Sequence, residues 1–219
     1  MQGLTGKDKG LESLVDPIVD LMIKDKIMVY FIQETWNLES CSTLVQGHMV
    51  IQHNQEEQTI GSKGRIPGRV AIILSPTACE AWRAAGSKPP ITTLMEPPFV
   101  GRFIGVKLRF PQIYPYKNKL RGNTPLFVAS IYHPVDELEH TEFIDILSNI
   151  MCSVPKNANF IGGHDVNANL VIRSKMYGKT LGPWGINNRN IKGRRLLSFF
   201  SNNQLKIANS FFRKYSYVT

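Results

Sequence analysis

Four residues have the types and positions to do chemistry: Glu34, Tyr132, Asp165 and Asn167. Glu34 comes just after the apolar run Ile27 to Ile32, Tyr132 ends the run that begins at Leu126, and Asp165 and Asn167 follow the short run Asn159 to Gly163. Carboxylates are hard oxygen donors, and a magnesium ion commonly takes only one or two of them, completing its shell with water and substrate phosphate oxygens. An asparagine amide or a tyrosine hydroxyl can donate to a phosphoryl oxygen. Each residue also has an ordinary structural reading. A glutamate after a strand is often a solvated loop residue, Asp-x-Asn after a glycine pair is a turn, and a tyrosine at a strand end is packing. Spacing alone leaves both readings open. What joins the four is placement at strand ends, where layered α/β proteins gather functional groups.

The elements that must position these groups follow from the hydrophobic pattern. Leu11, Leu14, Val15, Ile18, Leu21 and Met22 trace one face of an amphipathic helix over residues 11–24. Strands are predicted over 27–32, 45–52, 70–74, 100–110, 126–132, 159–163 and 204–208. A second helix carries Phe143, Ile146, Leu147, Ile150 and Met151, and a third runs from an Asn190 cap to about Asn203, with Leu196, Leu197 and Phe200 facing in. A short helix is predicted over 79–85. Residues 53–69, with glycines at 61, 64 and 68, the proline-rich 87–98, and 111–124 read as loops. Strands alternating with helices predict a layered α/β domain occupying residues 1–219.

Composition narrows the partners. Lys plus Arg is 26 and Asp plus Glu is 17, so the net charge of +9 favours a polyanion. Lys117, Lys119 and Arg121, and Lys192, Arg194 and Arg195, are the clusters that would meet phosphates or simply form a solvated face. The three cysteines, at 41, 79 and 152, are far apart and suggest neither a disulfide framework nor a zinc site, which fits a reducing intracellular compartment. No apolar run approaches the ~20 residues of a membrane span, and the polar stretch 1–10 has no signal-peptide core. Of the five histidines, His133 and His164 flank the strand-end residues in sequence, and none forms a metal-ligand pair.

The same residues carry a family resemblance. Gln33-Glu34-Thr35 resembles the Q-E-T motif of the endonuclease/exonuclease/phosphatase superfamily, and Gly68-Arg69-Val70-Ala71-Ile72-Ile73-Leu74 is similar to its G-G-V-A-I strand. Ser130-Ile131-Tyr132-His133-Pro134 resembles its x-x-Y-x-P motif, and Gly163-His164-Asp165-Val166-Asn167-Ala168 its G-D-x-N-A motif, with His164 where glycine is usual. The segment from Gly193 to Phe212, with Leu196, Phe200, Asn203, Leu205, Ile207 and Asn209, is similar to a pattern of non-LTR retrotransposon endonucleases and craniofacial-development-protein-2-like sequences. The motifs occur in family order along nearly the whole chain.

The resemblance implies a two-sheet α/β sandwich of the deoxyribonuclease I-like kind and a Mg²⁺-dependent hydrolysis of phosphodiesters, with Mn²⁺ as a substitute. It implies that Glu34 holds the metal and that Asp165 activates or positions the attacking water. Asn167 would orient that water and stabilise developing charge, and Tyr132 would contact the scissile phosphate. The implied partner is nucleic acid, DNA in the first instance, with no membrane, in the nucleus if the chain is a retrotransposon endonuclease. Met1-Gln2-Gly3-Leu4 resembles the tail of the family's Asn-containing first motif, and Lys214 to Thr219 the start of a later strand. On that reading the domain is incomplete: the first and last strands, an Asn, an Asp and a Ser-Asp-His motif lie outside the chain, and activity is impaired. Two alternatives stand beside this one: a phosphatase of the same superfamily, and a non-catalytic remnant that at most binds nucleic acid.

Overall fold

The computed structural model describes residues 11–35, 41–53, 69–92, 99–110, 125–170, 177–184 and 190–212. They fall into two compact units, one within Met1–His133 and Pro155–Val166, the other within Pro134–Val154 and Asn167–Thr219.

The first unit is a two-sheet α/β sandwich. One sheet contains β1 (Val29–Gln33), β2 (Cys41–Val45), β3 (His48–His53) and β4 (Val70–Leu74) in the order β1-β4-β3-β2, all antiparallel. The other contains β5 (Ile91–Thr92), β6 (Phe103–Leu108), β7 (Leu126–Tyr132) and β8 (Asn159–Asp165), in the order β5-β6-β7-β8, with β7 and β8 parallel. Period-two alternation sends Ile51, Ile72 and Leu74 from the first sheet and Ile104, Val106, Leu108 and Val128 from the second into one shared core. Helix α2 (Pro76–Ala84) adds Ala78, Cys79 and Ala81 to that core. It begins where Ser75 caps it, the hydroxyl accepting from Ala78 N at 3.3 Å, with Pro76 at the first helical position. Helix α1 (Leu11–Lys24) covers the other face of the first sheet, burying Val15, Val19 and Met22 against Val45, Val50 and Ile73.

Five expectations need correction. The buried stripe of α1 runs through Val19, while Leu21 is 39% exposed, because the sheet selects the i, i+4, i+7 line. The strand expected over 45–52 is the second half of a hairpin. Gln46 and Gly47 both take positive φ, +48° and +79°, the mirror-image turn whose twist suits two-residue hairpins. The short helix starts at Pro76 instead of Cys79, and Ile91–Thr92 forms a brief strand inside the proline-rich stretch. The expected strand over 204–208 is one bridge, Leu181 to Ile207, followed by a 3₁₀ turn at Ala208–Ser210. The loop readings over 54–68 and 111–124, and the terminal readings at 1–10 and 213–219, lie outside the described residues.

The second unit holds α3 (Glu137–Ser153) and α4 (Ile191–Asn202). Asp136 caps α3, its carboxylate accepting from Leu138 N at 2.8 Å and Glu139 N at 3.0 Å, and those bonds hold its pKa below the usual carboxylate value. Helix α3 buries Phe143, Ile144 and Leu147, and α4 buries Leu196, Leu197, Phe199 and Phe200. Among the described residues, no helix is long and apolar enough to cross a membrane.

Candidate active site

Strand β1 ends at Gln33, and the next residue, Glu34, takes a positive φ of +59°. That conformation decides where the carboxylate goes. On a continuing strand, Gln33 and Glu34 would point to opposite faces. Phe31 and Gln33 face the second sheet, while Tyr30 and Ile32 face α1. The left-handed turn at Glu34 brings its side chain round to the Gln33 side, where Glu34 Oε1 accepts a hydrogen bond from the Tyr132 hydroxyl at 2.8 Å. A non-glycine residue at such a φ costs about 1 kcal/mol or more, which the packing around it must offset.

Tyr132 closes β7, and its register partner on β8 is Asp165. Register partners on neighbouring strands project to the same face, so Asp165 shares the face that presents Tyr132 to Glu34. Tyr132 is 4% exposed and belongs to the shared core, so the packing role and the polar role coincide in one side chain. Its ring lies 5.3 Å from the Arg102 guanidinium, a cation–π contact, and its backbone N–H donates to Arg102 O at 2.9 Å.

Beneath these groups is a layer of polar contacts that sequence reasoning did not single out. The Gln33 amide donates to Ser130 Oγ at 3.0 Å and to Gly163 O at 3.1 Å, and Ser130 Oγ donates to Ile32 O at 2.8 Å. Gly163 allows β1 to come this close, because a Cβ there would sit 2.4 Å from Phe31 Cβ. Arg69 is also buried at this end of the first sheet. Its carbonyl accepts from Thr35 N at 3.4 Å, and desolvation lowers the pKa of its guanidinium. A charged residue ahead of an apolar run reads as surface, so neither Arg69 nor Arg102 left a usable signal in the sequence.

His133 and His164 come together, but not as part of this cluster. His164 pairs in register with Ile131, so it projects to the opposite face of the sheet from Tyr132 and Asp165. The His133 Nε2 to His164 Nδ1 distance is 3.2 Å and the rings stack at 5.6 Å. One ring must be a neutral acceptor, and burial lowers the His164 pKa to about 4.

Asn167 follows Asp165 by two residues and takes φ +42°, a conformation asparagine tolerates better than most residues. It belongs to the second unit. There its loop is tied to α4: Asn190 Oδ1 accepts from Gly193 N at 2.8 Å and from Asn169 N at 3.3 Å. A Cβ on Gly193 would fall 1.8 Å from Asn169 O, so glycine is required for this approach.

Among the described residues, no three His, Cys, Asp or Glu side chains converge in a way that could hold a metal ion. A zinc site needs such a set of nitrogen or sulfur ligands; a magnesium site with one or two carboxylates and a mostly aqueous shell does not. Glu34, bonded to the Tyr132 hydroxyl, and Asp165, the register partner of Tyr132, are the two carboxylates of this cluster. Next to Glu34, the buried Thr35 hydroxyl has no hydrogen-bond partner among the described residues.

No protein-family profile and no curated protein sequence matches the chain. Among solved structures, the chain is similar to the "Endonuclease domain of TRAS1, a telomere-specific non-LTR retrotransposon", with a TM-score of 0.46 and 17% identity. The similarity covers 89% of this chain and 66% of that one.

Proposed function

We propose that the chain is a nuclease-type domain that hydrolyses phosphodiesters of nucleic acid with Mg²⁺. The observation that carries this reading is the Tyr132–Glu34 hydrogen bond with Asp165 opposite Tyr132 on the same face. Two carboxylates and a phenol at adjoining strand ends are the minimal set for holding a hard cation, handling a water proton and touching a phosphoryl oxygen. When bound, the metal supplies Lewis-acid stabilisation of negative charge on the phosphate.

The side chains then divide the work. Glu34 is the metal ligand; one of its oxygens is already engaged by Tyr132, which fixes the carboxylate's orientation. Asp165 accepts the proton of the attacking water. The family resemblance would give the orienting of that water to Asn167, a residue of the other unit. The Tyr132 hydroxyl turns from Glu34 to a phosphoryl oxygen once substrate is present. Water adds across the P–O bond, leaving a phosphate on one product and a hydroxyl on the other. The net charge of +9 suits a polyanionic substrate more than a small phosphorylated one.

Supercoiled plasmid incubated with Mg²⁺ tests the reading. Nicking that is lost in Asp165→Ala and weakens steeply with salt supports it. Phosphate release from small phosphomonoesters without nicking would favour the phosphatase, and salt-sensitive DNA binding with no turnover would favour a non-catalytic remnant.

A further inference from the structure

We propose that Gln33 and Ser130 are positioning residues, which set the spacing of Glu34, Tyr132 and Asp165 and thereby the affinity of the site for its metal; this rests on the function proposed above. The contacts form a closed relay. Ser130 Oγ donates to Ile32 O at 2.8 Å, Gln33 Nε2 donates to Ser130 Oγ at 3.0 Å, and the same nitrogen donates to Gly163 O at 3.1 Å. One amide thus spends both N–H groups on two neighbouring strands of the opposite sheet, and the hydroxyl returns a bond to the strand the amide came from.

The offsets give the relay its purpose. Ile32, Ser130 and Gly163 each stand two residues before a member of the site: Glu34, Tyr132 and Asp165. On β7 and β8 a step of two residues keeps the same face, so a bond at Ser130 or Gly163 fixes the rung directly below Tyr132 or Asp165. Three strands from two sheets are therefore tied one rung beneath the three groups that must converge. Ser130 is fully buried, so water cannot replace its partners. A sandwich core needs no polar relay for cohesion. Apolar residues fill this layer elsewhere, and its rung at the site end is where Gln33 and Ser130 appear. Groups that orient a metal ligand from behind typically cost 10- to 100-fold in metal affinity when removed.

The test uses Gln33→Met, which keeps the volume and removes both donors, and Ser130→Ala, which removes one atom, so that a folding failure in one leaves the other. Two readouts are followed in the full chain: Mn²⁺ affinity without substrate, and the Tyr132 ring-carbon NMR resonance next to the hydroxyl in metal-free protein. The Tyr132 resonance reports the bond to Glu34, with Glu34→Gln marking its position when that bond is altered. The expected result is a Mn²⁺ Kd raised about tenfold or more in either variant, no further loss in the double variant because both act through one relay, and a Tyr132 resonance displaced toward the Glu34→Gln position. A wild-type resonance and wild-type Mn²⁺ affinity in both folded variants would overturn the proposal. Failure of the wild-type chain to bind Mn²⁺ at all would overturn the functional reading instead, while the Tyr132 resonance would still decide whether the relay positions Glu34.

Discussion

Replacing Gly163 with alanine tests the idea that the site depends on close contact between the two sheets. A Cβ at Gly163 would lie 2.4 Å from Phe31 Cβ and 2.5 Å from Phe31 Cγ, where ordinary contact begins at 3.4 Å. Phe31 Cβ is fixed to the backbone of β1, so no change of rotamer moves it. The strands themselves must separate by about 1 Å, and overpacking of this kind costs about 1–3 kcal/mol. The Gln33 bond to Gly163 O, already 3.1 Å long, would be lost in the process, and that adds about 1 kcal/mol. The expected sum is about 2–4 kcal/mol, or a fall in Tm of roughly 5–15 °C for a chain of this size. Gly162→Ala is the control. Its nearest obstacle is His164 Nε2 at 2.5 Å, an atom at the end of a side chain and not next to the backbone, so it should be milder even though the ring is paired with His133. Urea and thermal unfolding of both variants give the comparison. Equal losses, or a Gly163→Ala variant within about 0.5 kcal/mol of the original, the range of an inert surface change, would refute the claim that the sheets must meet at this glycine.

The remaining predictions concern backbone strain, pH and charge. At Glu34, with φ +59°, a glycine variant should be more stable than an alanine variant by about 1 kcal/mol, although both lose the bond to Tyr132; chemical denaturation measures the difference. His164 has a folded pKa of about 4 against 6.5 for the free side chain, so between those values the unfolded chain binds more protons. Its stabilising contribution is therefore complete above pH 6.5 and is lost as pH falls from 6.5 toward 4, by at most about 3 kcal/mol, less where water reaches the ring. Unfolding curves at several pH values should show this slope, and His164→Gln should flatten it. Lys192, Arg194 and Arg195 open α4, with Lys192 Nζ donating to Val135 O at 2.6 Å and Arg195 to the Thr141 hydroxyl. If all three meet phosphates, neutralising them should reduce the slope of log affinity for DNA against log salt by about three; an unchanged slope returns them to a solvated face.

Strand ends could be read from the sequence because apolar runs buried on both faces stop abruptly. Leu126 to Tyr132 is such a run, as is Val70 to Leu74, and the polar residues that terminate them stand out. Partnership could not be read in the same way. Gln33 and Ser130 are 97 positions apart, and one serine inside an apolar run looks like a weak strand residue until the opposite sheet supplies its partners. Arg69 and Arg102 carry the same lesson with the opposite sign, because long charged side chains are rarely so deeply buried and the fold alone reveals that these are. The segment 204–208 has the pattern of a strand, but a strand is a pairing, and its described partner is a single residue, Leu181. The face of α1 shows a related effect: Val15, Ile18 and Met22 pack as the pattern predicts, but the sheet beneath takes Val19 in place of Leu21.

The Glu34 conformation is the hardest of these features to read, and it carries the most consequence. Local rules want the residue after Gln33 on the other face, toward α1, where Tyr30 and Ile32 already pack. The polar relay needs Gln33 on the inner face, and the bond to Tyr132 needs Glu34 there as well. Two consecutive residues can serve the same face only if the backbone between them leaves the extended region, and here it does so with a glutamate, at φ +59°, where glycine would be less strained. A glycine would supply the turn but no carboxylate. Local preference and global arrangement disagree at Glu34, one of six described non-glycine residues with positive φ, and here the turn gives the carboxylate its bond to Tyr132. The bond to Tyr132 that this turn makes possible is what distinguishes Glu34 from a solvated loop residue.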